Sequence, residues 1–461
     1  MCSAFFVGVI ASCGVTQAGS FGVPTVLFST VGTSDTSLVP GTQGERFTVL
    51  RSPNASPDGS RWAFSADTNG PTATDDVVVA VGPGSAGVVV REGTAGSTLF
   101  PGLNPPVLGN AGTFSTEVSI NDAGDVAFRS QIGSNRTIGK FDAGTGTYEL
   151  VARDTRDIPP FPGLPLTNAE WGGSLSFPKV LNDGRVAFRG QVFADEFAPN
   201  SNRIFLFAGN DNPVVEAGVT QVTTSSGSQT VTLISSQDVG FAADGTPVYR
   251  GNVPTSIDEA IVRGDSVVLQ RLDTLIGDPL ARPVQSFFDL DVAADGTALF
   301  SGSFDVAGLP DYVARDNVAV ALTGEPIFAG ASERFSQDTG FSSTFFFNVG
   351  NAVGDYVVGG VTDSADTSAN GVLVLNGLLE VLREGDAVDL DGNGRFDDNA
   401  FVNLLSGDGF LTDDGLLVVR TSLRNDTGGF LGNAFISVVV PEPTSMTLLA
   451  AALPALIRRR R

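Results

Sequence analysis

The sequence predicts an all-β protein whose strands form a closed ring of seven similar sheets, and three observations lead to this prediction. A turn ending in glycine, followed by an apolar strand, recurs seven times. The composition favours strands and tight turns, with 56 glycines in 461 residues. The last repeat lacks one strand, which an N-terminal segment can supply. Seven units of about 60 residues predict a seven-bladed β-propeller with short hydrophobic segments at both termini.

The repeat is clearest in NDAGDVAFRSQI from Asn121, NDGRVAFRGQV from Asn182 and AADGTALFSGSF from Ala293. The turn glycines recur at nearly constant spacing, which indicates one structural unit per period. The seven turn glycines are Gly59, Gly124, Gly184, Gly245, Gly296, Gly354 and Gly415.

Each period contains further strands after the one that follows its turn glycine. After the Gly184 strand come RIFLFAG from Arg203 and PVVEAG from Pro213. A looser segment with phenylalanine follows in each period, such as VQSFFDLDV from Val284, and we expect it to supply a fourth strand. Short strands joined by Gly and Asp turns are typical of antiparallel hairpins.

The two ends of the repeat region predict how the ring closes. The seventh repeat contains LLVVRTSL and NAFISVVV but no third strand. PTVLFSTVG from Pro24 fits that strand, so it would complete the last blade and remove an open edge. The propeller is therefore predicted to span residues 24–440. Tandem β-sandwiches and an open β-solenoid are the alternative folds.

The N-terminal segment, MCSAFFVGVIASCGVTQA, is mostly apolar from Ala4 to Val15. Small residues at Thr16 and Ala18 suit a cleavage site, so residues 1–18 are predicted to be a signal peptide cleaved after Ala18. The alternative is lipidation at Cys13, since Ile10-Ala11-Ser12-Cys13 resembles a lipobox.

The C-terminal segment, 441–461, has three parts in a fixed order. A Pro-Glu-Pro motif precedes an apolar run at 446–457, which is shorter than the roughly 20 residues that a helix needs to cross a bilayer. Basic residues end the chain and would stay on the cytoplasmic side. The motif and the basic cluster are Pro441, Glu442, Pro443, Arg458, Arg459, Arg460 and Arg461.

This tail resembles the PEP-CTERM sorting signal of Gram-negative bacteria in motif, order and position. The resemblance implies export by the Sec machinery, transient anchoring in the inner membrane through 446–457, and cleavage near Pro-Glu-Pro by an exosortase. It also implies release to the cell surface or the extracellular matrix and an association with exopolysaccharide. The repeats resemble units of the form N-D-x-G-x-V-A-F-x-A in bacterial secreted proteins, and that resemblance carries the fold alone.

Charge and composition limit the possible functions. The net charge of −24 repels phosphate backbones, so we expect no nucleic-acid partner. The chain has no histidine, which excludes Ser-His-Asp triads and His-ligated zinc. We therefore predict a structural or binding protein rather than an enzyme. The alternative is a polysaccharide-active enzyme, a glycosidase or lyase, that uses carboxylates or a Tyr with an Arg.

The segment DLDGNGRFDDNA from Asp389 matches the opening of an EF-hand-type calcium loop. Gly394 would make the sharp turn. Position 12 is Ala400 instead of Glu, and Asp398 could take its place. An acidic, turn-rich loop is the alternative. The predicted Ca²⁺ ligands are Asp389, Asp391, Asn393, the Arg395 carbonyl, Asp397 and Asp398.

Two polar residue types recur once in most repeats. Asp in the glycine turn is a turn former, and Arg in the next strand is expected to snorkel or to pair with neighbouring acids. A binding ring and an Arg-lined sugar channel are the functional alternatives. The aspartates are Asp58, Asp122, Asp183, Asp244, Asp295 and Asp414, and the arginines are Arg129, Arg189, Arg250 and Arg420.

Overall fold

Seven antiparallel β-sheets lie in a ring in the computed structural model of the chain, so the predicted seven-bladed β-propeller is confirmed. The innermost strands of successive sheets contact one another around the whole ring. The structure describes residues 23–101, 109–154, 170–193, 202–209, 212–224, 227–253, 259–306, 308, 310–336 and 343–440.

The strands are short, and helices are confined to a 3₁₀ turn at Asp35–Ser37 and one α-helical turn, α1, at Gly96–Leu99 within the described residues. The first strand is β1, Thr25–Ser29. Blade 1 contains β2 Phe47–Leu50, β3 Asn54–Ala55, β4 Trp62–Thr68, β5 Asp76–Gly82 and β6 Ser85–Arg91. Blade 2 contains β7 Ala111–Ile120, β8 Val126–Ile132, β9 Asn135–Asp142 and β10 Thr147–Arg153. Blade 3 contains β11 Glu170–Trp171, β12 Ser176–Val180, β13 Val186–Phe193, β14 Asn202–Ala208 and β15 Pro213–Glu216.

The remaining four blades follow in chain order. Blade 4 contains β16 Gln221–Thr224, β17 Gly227–Thr230, β18 Leu233–Phe241, β19 Pro247–Asn252, β20 Glu259–Arg263 and β21 Ser266–Gln270. Blade 5 contains β22 Val284–Val292, β23 Ala298–Phe304, β24 Asp311–Arg315 and β25 Val318–Leu322. Blade 6 contains β26 Phe345–Gly350, β27 Tyr356–Val361, β28 Gly371–Leu375 and β29 Leu379–Arg383. Blade 7 contains β30 Phe401–Leu411, β31 Leu416–Arg424, β32 Phe430–Val439 and, from the other end of the chain, β1.

The turn glycines are required by backbone geometry. All seven have a positive φ, between 73° at Gly59 and 104° at Gly354, where a side chain would be strained. At Gly59 an added Cβ would also lie 2.5 Å from the Cβ of Thr412 in the preceding blade. Each glycine therefore ends a tight turn between the inner strand of a blade and the strand beside it.

The sequence analysis places the Phe-containing fourth strand in the same blade as the three strands before it. In the structure this strand belongs to the next blade. The Phe-containing segment at β22 pairs with β23, which follows it in the chain, and forms the inner strand of that blade. The same holds for β26 and β27. The turn glycine lies inside a blade, after the inner strand. A repeat counted from one turn glycine to the next therefore begins in one blade and ends in the next blade.

Three sheets contain more than the expected four strands. In blade 1, β2 and β3 both pair with β4, and in blade 3, β11 and β12 both pair with β13. The inner strand of each of these two blades is interrupted and therefore consists of two short strands. Blade 4 carries an additional hairpin, β16–β17, at its outer edge.

Strand β1 completes blade 7, as the sequence predicts. It pairs antiparallel with β32, with Val26 opposite Ile436 and Phe28 opposite Phe435. The order of that sheet is β1-β32-β31-β30, so β1 covers an edge that would otherwise be open.

The apolar core lies between neighbouring blades. Between blades 7 and 1, Trp62 stacks on Phe64 with ring centroids 5.3 Å apart, and Phe435 meets Trp62 edge-on at 5.5 Å. Phe28 of β1 packs edge-on against Trp62 at 5.6 Å. Burying such aromatic surface at each blade junction favours the closed ring over separate sheets.

Several predicted residues lie outside the part of the chain that the structure describes. They are the cleavage site at Ala18, the lipidation site at Cys13, the apolar run at 446–457 and the sorting residues Pro441, Glu442, Pro443, Arg458, Arg459, Arg460 and Arg461. Within the described ranges, no helix has the length and apolar character needed to cross a membrane.

Candidate functional site

The inner strands of the seven blades surround an axial channel. A cavity of about 530 Å³ lies along this channel and is lined by residues of blades 4, 5, 6 and 7. Phe288 and Phe346 line it together with the carboxyl groups of Asp238, Asp289 and Asp291. Phe288 is 38% exposed, which is high for a large apolar residue on an inner strand of the ring. The cavity thus combines aromatic surface with hydrogen-bond acceptors.

Bulges in the inner strands place these side chains. The strand register shifts between Phe114 and Val118 in β7, and between Ile234 and Val239 in β18. It shifts again between Leu405 and Gly409 in β30. A bulge turns residues out of the regular alternation, and here it directs polar residues along the channel wall.

Three of the four repeated arginines pair with an acid from the bulge of their own blade. Arg129 Nη1 lies 2.8 Å from Glu117 Oε2, and Arg250 Nη2 lies 2.7 Å from Asp238 Oδ2. In blade 7, Arg420 Nη2 lies 2.7 Å from Asp408 Oδ2. The predicted pairing of these arginines with neighbouring acids is therefore confirmed.

These ion pairs also connect each blade to the next. Arg250 Nη1 donates to the carbonyl of Phe287 over 2.7 Å, and Arg420 Nη1 donates to the carbonyl of Leu50 over 3.0 Å. Glu117 Oε2 accepts from the backbone N–H of Phe177 over 3.1 Å. The arginines and their acid partners therefore help to hold neighbouring blades together around the channel.

The sequence contains a signal for these ion pairs that the repeat pattern alone does not reveal. The acid precedes its arginine by the same interval in all three blades, because a bulge, the glycine turn and half of the next strand separate them. At this spacing blade 3 has Phe177 before Arg189, and blade 5 has Asp289 before Ser301. The arginine of blade 3 and the acid of blade 5 therefore lack the partner that blades 2, 4 and 7 supply at this position.

The pKa of Arg189 and the pKa of Asp289 are both shifted from the usual values of these groups. Arg189 is buried, donates through Nη1 to Ser174 Oγ over 2.7 Å, and has no partner for Nε within the described ranges. Burial lowers its pKa. Burial also raises the pKa of Asp289, and the charge of nearby Asp238 raises it further. Of the two, only Asp289 lines the large cavity.

Lys179 and Asp291 face the channel from blades 3 and 5. Burial raises the pKa of Asp291 to about 6, although its Oδ2 accepts a hydrogen bond of 3.0 Å from Gly350 N. Burial lowers the pKa of Lys179, and the charges of Asp291 and Asp122 oppose that shift. Both side chains keep partial solvent exposure because they face the channel, although the ring encloses them.

The repeated aspartates act mainly as turn formers. The Oδ1 atoms of Asp183, Asp244 and Asp295 each accept from the backbone N–H two residues later, over 2.8 to 3.0 Å. Asp122 lies one position earlier in its turn and accepts instead from Asp58 N of the neighbouring blade over 2.9 Å. These backbone contacts explain why an aspartate occupies the turn in these four blades.

The predicted calcium loop lies between β29 and β30. Oxygen atoms of Asp389, Asp391 and Asp398 lie within 4.8 Å of one another, so three of the six predicted ligands converge. Asp389 is buried, and its Oδ2 accepts from Gly394 N over 2.8 Å. Three convergent carboxylates fit the ligand preference of Ca²⁺.

The other three predicted ligands lie at the exposed side of the same loop. Asn393 Nδ2 donates to Asp391 Oδ2 over 3.0 Å and to Asp397 Oδ1 over 3.2 Å. Arg395 and Asp397 are exposed. Within the described residues, no other group of three acids, His or Cys converges in this way.

No protein-family model matches the sequence, and no curated protein matches it. Among solved structures, an oligogalacturonate lyase in complex with manganese is similar, with 11% identity and a TM-score of 0.42 over 93% of this chain and 99% of the lyase. An oligogalacturonate lyase from Vibrio parahaemolyticus is 12% identical, with a TM-score of 0.39 over 92% and 99%. TolB from Acinetobacter baumannii is 12% identical, with a TM-score of 0.31 over 84% of this chain and 65% of TolB.

Proposed function

We propose that the protein is an exported binding protein of the cell surface or extracellular matrix, and that its axial cavity holds part of a neutral exopolysaccharide. The observation that supports this proposal is the cavity of about 530 Å³ lined by Phe288, Phe346 and three carboxyl groups. Aromatic faces pack against the apolar faces of sugar rings, and carboxylates accept hydrogen bonds from hydroxyl groups. A net charge of −24 disfavours acidic polymers.

A glycan array tests the binding proposal. The purified propeller, residues 24–440, is applied to neutral, acidic and basic polysaccharide fragments. We expect binding to one class of neutral fragments that persists at high salt, because uncharged contacts are not screened. Binding to no glycan, or only to basic fragments at low salt, contradicts the proposal.

In this proposal the two terminal segments direct the export of the protein. The signal peptide 1–18 would direct the chain to the Sec machinery, and an exosortase would cleave near Pro441-Glu442-Pro443 while 446–457 holds the chain in the inner membrane. Mass spectrometry of protein from the culture medium should show loss of the segment beyond Pro443. Released protein that retains Arg461 contradicts this route.

We further propose that the loop from Asp389 to Asp398 binds Ca²⁺. Three carboxylates from one loop converge there, and Asp389 is held in place by backbone N–H groups. Extracellular calcium would then occupy the loop after export.

A second candidate function, a polysaccharide-active enzyme, is favoured by one specific observation. Asp289 and Asp291 line the same cavity, and burial raises the pKa of each, that of Asp291 to about 6. Perturbed carboxyl groups in a cleft are typical of general acids. A screen for reducing ends or unsaturated products released from polysaccharides, with Asp291→Asn as control, separates catalysis from binding.

A further inference from the structure

The chain has two lysines, and they have opposite surroundings. Lys140 Nζ lies 2.7 Å from Glu149 Oε2 and donates to the carbonyl of Gly184 over 3.0 Å. Lys179 Nζ has no carboxylate within 4.0 Å among the described residues, and its one hydrogen bond there is a long one of 3.5 Å to Asn54 Oδ1. One lysine is neutralised by an acid, and the other is an enclosed amine that forms no ion pair with any residue in the described part of the chain.

Lys179 reaches across the axial channel from blade 3 toward blade 1. It borders two cavities of about 100 and 220 Å³, and Asp291 borders both of them. Asp291 also borders the cavity of about 530 Å³, so the three spaces meet at this residue. The two small cavities exceed the roughly 30 Å³ that one water molecule takes up in the liquid, and a small organic molecule therefore fits beside the amine.

We propose that Lys179 captures small carbonyl compounds, aldehydes or the open-chain form of a reducing sugar, as an imine on its Nζ. The neutral amine attacks the carbonyl carbon, a C–N bond forms, and the carbonyl oxygen takes up a proton. The Asp291 carboxyl group protonates the resulting hydroxyl, which leaves as water as the C=N bond forms. One N–H proton of the amine goes to the carbonyl oxygen, and the second N–H proton returns to the Asp291 carboxylate, so the net products are the imine and one water and no electrons are exchanged with another compound.

The channel environment favours the neutral amine that this chemistry requires. Burial lowers the pKa of Lys179, whereas the charges of Asp291 and Asp122 act in the opposite direction. Glu117 borders the cavity of about 220 Å³ and Asp413 the cavity of about 100 Å³, and with Asp291 they are the described acids that line the two cavities. Desolvated lysines are the ones that form Schiff bases with carbonyl substrates. The inference goes beyond the proposed binding function and does not depend on export.

Competition between the two lysines of the wild-type protein is the test. Purified protein is treated at pH 7 with glycolaldehyde and cyanoborohydride, which reduces the imine to a stable hydroxyethyl-lysine. Peptide mass spectrometry then follows both lysines over time. We expect Lys179 to react several-fold faster than Lys140, because burial lowers the pKa of Lys179 and a larger fraction of its amine is then neutral. Equal rates, or an unreacted Lys179, overturn the proposal.

Three variants and a measurement in urea test whether the channel causes the faster reaction of Lys179. Lys179→Arg keeps a cation but cannot form an imine, so labelling at 179 should vanish while Lys140 reacts as before. Lys140→Arg should leave the rate at Lys179 unchanged. Asp291→Asn should slow labelling of Lys179 several-fold below pH 6 and leave Lys140 unaffected, and an unchanged rate removes Asp291 from the step. In urea the preference for Lys179 should disappear, and a preference that persists there overturns the role of the channel.

Discussion

The backbone N–H of Val26 donates to the carbonyl of Asp389 over 2.9 Å, and Asp389 N donates in turn to the carbonyl of Pro24 over 2.9 Å. The N-terminal strand is thus held on two sides, by β32 of blade 7 and by the first residue of the predicted calcium loop. Closure of the ring and the geometry of that loop are therefore connected through Asp389.

Removing the Phe28 side chain should weaken this closure. Phe28 contacts Phe47, Trp62 and Phe64 with centroid distances of 5.3 to 5.8 Å. Phe28→Ala is expected to lower the free energy of unfolding by about 2–4 kcal/mol, because it leaves a cavity between blades 7 and 1. Urea unfolding measures the change. The control Val23→Ala, at an exposed residue just before β1, should stay within about 0.5 kcal/mol of wild type. Equal stability of Phe28→Ala and wild type would contradict the closure.

Calcium should stabilise the protein through the Asp389 loop. The missing Glu at position 12 predicts weak binding, with a Kd of about 10⁻⁴–10⁻³ M. A tenfold excess over Kd then raises the free energy of unfolding by roughly 1–2 kcal/mol. Calorimetry and thermal melting in EDTA and in Ca²⁺ measure the two effects. Asp391→Ala should abolish the response, and Asp366→Ala, in an exposed loop of blade 6, should retain it. If Asp391→Ala and wild type respond alike, the loop is only an acidic turn.

The stability of the junction between blades 1 and 2 should depend on pH through Asp76. Its Oδ2 accepts from Phe114 N over 2.9 Å, and burial raises its pKa to about 6 despite the salt bridge to Arg51. The folded state then binds a proton more tightly than the unfolded state. This group's contribution therefore falls as pH rises from about 4 to 6, by up to about 3 kcal/mol.

Asp76→Asn isolates that contribution, since Arg51 keeps its second partner, Asp67. Urea unfolding of wild type and variant at pH 4 and pH 7 gives the two differences in stability. We expect the variant to gain on wild type as pH rises. A constant difference across this range would exclude a raised pKa at Asp76.

The channel ion pairs should matter more than exposed ones. Arg250→Met leaves the Asp238 carboxylate, whose side chain is 9% exposed, without its partner, and should cost about 3 kcal/mol in urea unfolding. The control Arg185→Met breaks a pair with Asp183 in which both side chains are more than 40% exposed, and should cost less than about 1 kcal/mol. Similar losses for both variants would contradict the structural role of Arg250.

The fold follows from local features of the sequence, whereas the channel site does not. Glycines such as Gly124 can be identified because a tight turn demands a positive φ, and this demand is visible in the local pattern. The assignment of the Phe segments to the next blade needs the pairing of β22 with β23, which periodicity alone leaves open. Lys179 and Asp291 come from blades two apart, and only the closed ring brings them to the same cavities.

The most direct test of the central claim, that the axial cavity binds a saccharide, is calorimetric titration with the best glycan from the array. Phe288→Ala removes the exposed ring of the cavity and should weaken binding about tenfold or more, as loss of an aromatic contact at the centre of a site does. Phe430→Ala removes a 66% exposed ring on β32 that does not line the cavity, and should bind as wild type. Equal affinity of wild type and Phe288→Ala would contradict the account.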